Sequence, residues 1–240
     1  MSNLNTLKFY ATPEHPCSYL EGELATTLFA DPGADIDQNI YTQLTMLGFR
    51  RSGVHYYKPY CSHCSACIPV RVPVEQFTPN RSQRRTLAKC KDIKSKIRPA
   101  GFYAAHYSLY EKYINQQHTD GDMYPASQSQ YHSFLVECPP STLFVEFTLN
   151  QNLIAVAVVD ELLNGLSAVY TFYDPEYKHL NLGTFAVLWQ IEEVRRRELN
   201  YLFLGYWIDA CRKMSYKKHF SPLEQLCESG WERIPTHASD

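Results

Sequence analysis

Apolar residues recur at helical or strand spacing along much of the chain, and this spacing predicts most of its secondary structure. Residues 1–36 are expected to be irregular, because prolines and a glycine interrupt them. After them, the pattern predicts a helix over Asp37–Leu47, strands near Val54–Tyr57 and Val70–Phe77, and a helix from a cap at Asn80 or Ser82 to about Ile97.

The second half of the chain has a more regular alternation. It predicts two helices, a meander of three strands, a further helix and a last strand: Phe102–Gln117, Gln128–Glu137, Thr142–Leu149, Leu153–Leu162, Ser167–Tyr173, Leu182–Leu199 and Tyr201–Tyr206. This order resembles that of GNAT-like acyltransferases, so the predicted class is α/β (α+β). A break at Pro99–Gly101 separates a cysteine-containing N-terminal module, residues 1–99, from a GNAT-like catalytic domain, residues 100–240.

The turn before the long helix bears on the acyl donor. GNAT enzymes hold the pyrophosphate of coenzyme A on a glycine-rich turn that opens this helix. Here the turn spans residues 178–183 and has a single glycine, Gly183. A coenzyme A thioester is therefore disfavoured as the acyl donor.

Charge is concentrated in one stretch of the chain. Arg71–Arg98 contains nine basic and two acidic residues, a formal charge of +7, although the whole chain carries −2. Such a stretch is typical of proteins that neutralise nucleic-acid phosphates. The alternative is a solvated helix face that happens to be rich in lysine.

The cysteines and the hydropathy pattern indicate the compartment. No apolar run is long enough to span a membrane and the N-terminus lacks the apolar core of a signal peptide, so a cytoplasmic protein without membrane contact is expected. Disulfides are rare there, and the eight cysteines are interpreted as thiols or metal ligands. Three of them, Cys61, Cys64 and Cys67, are spaced like metal or redox ligands.

Short motifs then identify a family. They are, in chain order, Cys17–Leu20, Gly48–Gly53, Tyr57–Pro59, the three closely spaced cysteines, Pro69–Val74, Ser82–Arg85, Phe172–Pro175, Leu182–Gly183, Tyr201–Ile208, Lys213–Lys217 and Gly230–Trp231. With them the chain resembles the bacterial leucyltransferase branch of the arginyl-tRNA–protein transferase family. The resemblance covers nearly the whole chain.

The resemblance implies a reaction and its partners. A monomeric enzyme of this kind takes leucine from leucyl-tRNA and joins it to proteins that begin with Asp or Glu, which marks them for N-degron (N-end rule) degradation. Two alternatives remain: arginyl transfer to the same acceptors, and a metal-bearing tRNA-binding module without catalysis.

The resemblance also suggests site residues. Aminolysis of an ester needs at most a weak base and donors for the oxyanion. Asp174 or Glu146 is predicted as the base or amine anchor, and Tyr170 or Tyr206 as the proton relay, although each is also compatible with a structural role. The candidates that would bind the acidic side chain of the acceptor are Arg50, Arg51 and Arg71. The predicted tRNA-binding residues on the basic helix are Arg81, Arg84, Arg85 and Lys89.

Four of the cysteines are also candidates for binding a metal. Eukaryotic relatives have a Cys-x-x-Cys and a later cysteine pair linked to a metal or iron–sulfur centre. This chain retains Cys17 but has Leu20 at the second position. Cys17, Cys61, Cys64 and Cys67 are the candidate ligands for zinc or an iron–sulfur cluster, and reduced thiols without metal are the alternative.

Overall fold

The computed structural model describes residues 4–235. The chain forms two compact units and passes between them more than once. The first unit contains the described residues through Thr78, Leu162–Ser167, and the described residues from Val194 onwards; the second contains Pro79–Glu161 and Ala168–Glu193. Neither unit ends at Pro99, and the division of function between residues 1–99 and 100–240 stays a prediction.

The described residues form fourteen strands: β1 (Phe9–Ala11), β2 (His15–Pro16), β3 (Leu24–Ala25), β4 (Thr27–Ala30), β5 (Arg50–Ser52), β6 (His55–Pro59), β7 (Ile68–Pro73), β8 (Lys94–Pro99), β9 (Thr142–Leu149), β10 (Asn152–Leu162), β11 (Gly165–Tyr173), β12 (Tyr201–Trp207), β13 (Glu224–Cys227) and β14 (Gly230–Arg233). The α-helices are α1 (Gln38–Met46), α2 (Arg81–Lys89), α3 (Ala104–Gln117), α4 (Gln128–Tyr131) and α5 (Leu182–Arg196). Short 3₁₀-helices span Leu4–Thr6, Val74–Gln76, Pro175–Leu180 and Ser215–His219, and a π-helical turn spans His132–Val136.

The start of the first unit is more ordered than the sequence predicts. Strands β1 to β4 occupy a stretch that was expected to be irregular, and β1 pairs with β4 in a sheet of order β1-β4-β6-β5. That prediction was wrong because the paired residues of β1 and β4 are 17 to 21 positions apart, and such pairing leaves no local periodicity. Helix α1 is confirmed, with the Asp37 side chain accepting a hydrogen bond from the Ile40 amide at 2.8 Å.

A second set of strands completes the first unit. Here β14, β13, β7 and β12 lie side by side, and the first residues of β11 run parallel to β12. Gly165 pairs with Tyr201, and a Cβ at residue 165 would lie only 2.1 Å from the Tyr201 carbonyl oxygen. The parallel pairing therefore requires glycine at this position.

In the second unit, β8, β9, β10 and the later part of β11 form an antiparallel arrangement with an aromatic core. The predicted basic helix to Ile97 is too long, because α2 ends at Lys89 and Lys94–Pro99 instead forms β8. Ile97 pairs with Val145 of β9, and the lysines of β8 are exposed at the edge. Pairing with β9 overrides the helix propensity of a lysine-rich segment.

The predicted order of the second half is otherwise confirmed. The meander β9-β10-β11 precedes α5, and β12 follows it, so the mixed α/β class and the GNAT-like element order hold. Within residues 4–235, no helix has the length and apolarity needed to cross a membrane.

Candidate active site

Arg50 lines a small cavity in the first unit. It belongs to β5, and its Nη1 donates to Ser167 Oγ at 2.7 Å. Its guanidinium packs against Gly205, where an added Cβ would lie 2.9 Å from Nε. Gly205 has φ of +78°, so backbone conformation and available space both require glycine. A cavity beside Arg50, with room for about one water molecule, is lined by Gly48, Phe49, Pro69, Val70, Phe203 and Gly205 among others.

The buried Tyr206 follows Gly205, against which this arginine packs. The Tyr206 hydroxyl lies 2.9 Å from the Gly48 carbonyl oxygen and 3.2 Å from that of Tyr57. Burial raises the pKa of Tyr206, with a contribution from Tyr57, and Arg50 opposes the shift. The Tyr206 proton is thus directed at backbone carbonyls, and its role as proton relay stays a prediction.

Lys217 is the functional candidate that the sequence reasoning missed. It lies on the 3₁₀-helix Ser215–His219, is only 7% exposed, and donates from Nζ to the Tyr206 carbonyl oxygen at 2.5 Å. Burial lowers the pKa of Lys217 to about 7; Arg50 acts in the same direction and Cys211 opposes it. Lys217 belongs to the family motif Lys213–Lys217, but the sequence gives no sign that this lysine, and not its neighbours, is buried.

Arg51 and Arg71 are held by internal contacts. Arg71 donates from Nε to Glu224 Oε2 at 2.7 Å, and its guanidinium carbon lies 3.6 Å from the Tyr201 ring centroid and 4.3 Å from that of Trp231. Arg51 donates to the Gly53 carbonyl oxygen at 3.1 Å. Both arginines are buried. Of the three predicted acceptor-binding arginines, Arg50 alone lines the cavity.

The predicted metal ligands lie near one another. Burial raises the pKa of Cys67 to about 12, and the neighbouring thiols Cys17, Cys61 and Cys64 add to the shift. Across residues 4–235, however, no three His, Cys, Asp or Glu side chains are arranged to hold a metal ion. Metal binding by these cysteines stays a prediction.

Glu146, predicted as base or amine anchor, is part of an ion-pair network in the second unit. Its Oε1 lies 2.6 Å from Arg98 Nε and 2.8 Å from His106 Nε2. Burial alone would raise the pKa of Glu146, but hydrogen bonds from Arg98 and His106 outweigh it and the pKa is lowered. A carboxylate stabilised in this way is a weak base, so the contacts indicate a structural role.

Asp174 and Tyr170 also have structural contacts. Asp174 Oδ1 lies 2.7 Å from Lys112 Nζ and accepts from the Glu176 amide at 3.0 Å, which caps the 3₁₀-helix that follows. Burial raises the pKa of Tyr170, whose ring lies 5.3 Å from that of Phe134. The contacts of both residues favour the structural role over the predicted catalytic one.

The basic helix α2 is exposed along its charged face. Asn80 and Gln83 form a reciprocal capping box at its start, with hydrogen bonds of 2.8 and 2.9 Å. Arg81 and Arg85 are exposed, whereas Arg84 donates to the Pro79 carbonyl oxygen and Lys89 to that of His179. Arg81, in the first turn, opposes the helix dipole, so its charge does not stabilise the helix.

Comparisons with known proteins identify relatives over most of the chain. The family models described as arginine-tRNA-protein transferase, N terminus and C terminus, match residues 15–85 and 105–227. The aspartate/glutamate leucyltransferase of Marinobacter nauticus is 56% identical over 98% of this chain and 100% of its own length. The proteins of the same name from Hahella chejuensis and Pseudomonas aeruginosa are 54% and 51% identical, covering 98% and 96% of this chain and 100% and 98% of their own.

The solved structures give a weaker match. The structure of L-PGS from Bacillus licheniformis has a TM-score of 0.46 and 9% identity, covering 59% of this chain and 47% of that one.

Proposed function

The chain belongs to the arginine-tRNA–protein transferase family, and from that membership we propose that it transfers leucine from leucyl-tRNA to proteins that begin with Asp or Glu. The supporting observation is identity above one half, over nearly the full length, to relatives named aspartate/glutamate leucyltransferase. The product carries an N-terminal leucine that marks it for N-degron degradation. Because the donor is a charged tRNA, the reaction belongs to the cytoplasm.

Arg50 is the proposed reader of the acceptor's acidic side chain. A guanidinium binds a carboxylate through two parallel hydrogen bonds, which distinguishes Asp or Glu from their amides. A hydrogen bond to Ser167 and close packing against the Gly205 backbone orient Arg50, which also borders a cavity. Arg51 and Arg71 contribute to the stability of the first unit instead.

Helix α2 is the proposed contact with tRNA phosphates. Arg81 and Arg85 are exposed on it, and the capped N-terminus adds its own positive potential. Contacts of this kind neutralise phosphates and release counterions, but they do not read sequence. Selection of the leucyl group requires other residues.

The reaction is direct aminolysis of the aminoacyl ester. The lone pair of the acceptor's α-amine attacks the leucyl carbonyl carbon, a C–N bond forms, and the bond from that carbon to the ribose oxygen breaks. The departing ribose oxygen receives a proton from the attacking nitrogen. No covalent intermediate on the protein is needed, and alignment of the two ends supplies much of the acceleration.

A transfer assay tests the function. Purified protein is incubated with labelled leucyl-tRNA or arginyl-tRNA and with peptides that begin Asp, Glu, Asn or Lys. We expect leucine on the Asp and Glu peptides and none on the Lys peptide. Transfer of arginine alone would establish the other branch of the family, and tRNA binding without transfer to any peptide would overturn the proposal.

A further inference from the structure

One face of the sheet β1-β4-β6-β5 carries a row of aromatic side chains. Tyr10 lies opposite Phe29 in the strand register, and Phe29 lies opposite Tyr57. Tyr57 in turn lies opposite Arg50. Residues that lie opposite each other in antiparallel strands project from the same face of the sheet, with Cβ atoms about 5 Å apart. The row therefore crosses the whole sheet, from the edge strand β1 to Arg50 on β5.

This face is turned away from the core of the first unit. Ala30 and Tyr56, the neighbours of Phe29 and Tyr57 along their strands, belong to the buried cluster of that unit. Successive residues of a strand project from opposite faces, so Phe29 and Tyr57 project away from the cluster. Their rings lie 6.0 Å apart and are half-buried, whereas Tyr10 is 51% exposed. The aromatic row is thus accessible to a ligand from its β1 end.

Two side chains that can carry positive charge flank the row on the same face. Lys8 lies two residues before Tyr10, and its carbonyl oxygen accepts a hydrogen bond from the Asp31 amide at 2.9 Å, which continues the strand pairing. The His55 ring lies 6.3 Å from the Phe29 ring in an edge-on arrangement. Both Lys8 and His55 are exposed. The face therefore combines a line of rings with groups that suit an anionic ligand.

This combination is suited to single-stranded RNA. Every base has a π-face that stacks on an aromatic ring, and a four-stranded sheet with aromatic residues on one face binds RNA bases in this way. Cations beside the rings neutralise the phosphates that connect the bases. A polypeptide would use the rings but would have no general need for the flanking cations.

The position of Arg50 indicates which part of an RNA would lie here. The acceptor's carboxylate is proposed to bind Arg50, and the acceptor's amine must meet the leucyl ester in a near-attack geometry. That ester is carried by the unpaired 3′ end of the tRNA. The surface that leads to Arg50 is therefore a surface along which this 3′ end can approach.

We propose that Tyr10, Phe29 and Tyr57 form a stacking surface for the unpaired bases at the 3′ end of tRNA, with Lys8 and His55 beside the phosphates. The inference rests on the proposed function, which supplies the tRNA. Such a surface tolerates any base, because each base has a face that stacks. It orients the leucyl ester towards the proposed acceptor site and takes no part in bond making.

The binding test uses uncharged leucine tRNA in two forms, intact and trimmed of its unpaired 3′ nucleotides. Tyr10→Ala should lower the affinity for intact tRNA by about 5-fold or more, the loss expected for one base–aromatic stack. Its affinity for trimmed tRNA should equal that of the wild type. Tyr10→Phe keeps the ring and should stay within about 2-fold of the wild type on both forms. Thermal unfolding verifies that the variants are folded.

Salt dependence separates stacking from charge. Stacking releases no counterions, so Tyr10→Ala should retain the wild-type slope of log K against log salt. Lys8→Ala removes a phosphate contact with a single strand and should lower the slope for intact tRNA by about 0.7. A slope that falls in Tyr10→Ala would show that this variant acts through charge, against the proposed stacking.

Tyr60→Ala is the matched control, because Tyr60 is 62% exposed just beyond β6 and lies outside the row. It should bind both tRNA forms as the wild type does. Equal losses on intact and trimmed tRNA, or wild-type affinity of Tyr10→Ala for both, would overturn the proposal.

Other occupants of this face would give different results. If Tyr10→Ala raises KM for the acceptor peptide and leaves tRNA binding unchanged, the face binds the polypeptide and the proposal is wrong. A wild-type dimer that dissociates in Tyr10→Ala, with tRNA binding unchanged, would assign the face to a second copy of the chain. Absence of leucine transfer by the wild type would instead refute the proposed function, since the tRNA-binding assay contains neither leucine nor acceptor.

Discussion

At the scale of single residues, Arg50 and Gly205 act as a pair. The guanidinium occupies the space that a side chain at residue 205 would need, with 2.9 Å between Nε and the position of an added Cβ. The hydrogen bond to Ser167 fixes the same group from another direction. These contacts fix the guanidinium before any ligand binds, which reduces the entropy lost on binding.

Arg50→Met should impair recognition of acidic acceptors more than any other step. Loss of a desolvated charge partner costs about 2–5 kcal/mol, or about 30-fold or more in kcat/KM for an Asp peptide. The preference for Asp over Asn should collapse with it. Steady-state kinetics with the two peptides at fixed leucyl-tRNA measure both effects.

Arg71→Lys is the control for this prediction. Its buried contacts with Glu224, Tyr201 and Trp231 make it a stabilising residue, so the variant should lower the melting temperature and leave the Asp-to-Asn preference intact. If Arg71→Lys loses the preference and Arg50→Met retains it, the assignment of the reader is reversed.

These arginines show what the sequence can and cannot predict about single residues. Arg50, Arg51 and Arg71 all lie in family motifs and are equivalent as residue types. Burial and partners separate them, and both are long-range properties. The same holds for Lys217, whose low pKa arises from desolvation and from Arg50, 167 positions away in the chain.

At the scale of elements, α2 is the segment that local sequence describes best. Its cap, its capping box and its exposed charges all follow from residues within one or two turns. The strand β8 is the opposite case, since it has a helix-like composition and is held by pairing with β9.

Arg85→Glu on α2 should weaken binding of leucyl-tRNA. Removal of one phosphate contact lowers the slope of log K against log salt by about 0.7–0.9, and the reversed charge adds repulsion. Filter binding over a range of salt concentrations measures the slope, and kcat at saturating tRNA should stay near wild type.

Lys91→Glu supplies the comparison, because Lys91 is exposed just beyond the end of α2. A smaller effect from Lys91→Glu is expected if α2 itself contacts the phosphates. Equal losses from both variants would show that the protein's general charge, and not this helix, governs the affinity.

At the scale of the whole molecule, burial of Lys217 opposes folding. Its pKa is about 7 in the folded protein and about 10.4 in an unfolded chain. Between these values the unfolded state binds a proton that the folded state lacks, so stability rises with pH. Lys217 raises the unfolding free energy by at most about 1.4 kcal/mol per pH unit in this range.

Urea denaturation from pH 7 to pH 9.5 tests this sign. As pH rises, the unfolding free energy of the wild type should increase relative to that of Lys217→Met. Subtraction of the variant removes the tyrosine and cysteine contributions, which have the opposite sign because their pKa values are raised on folding. A difference independent of pH would show that Lys217 titrates normally.

The sequence by itself determined the family, the order of the second half, the capped basic helix and the residue types of the site. These properties depend on short-range periodicity, on helix caps and on motifs formed by residues that are neighbours in the sequence. Only the tertiary structure decided that residues 9–30 contain strands, that β8 pairs with β9, that Arg50 faces a cavity and that Lys217 is buried. The reason is physical: strand pairing, desolvation and charge–charge coupling act through space between residues far apart in the chain, and no local pattern records them.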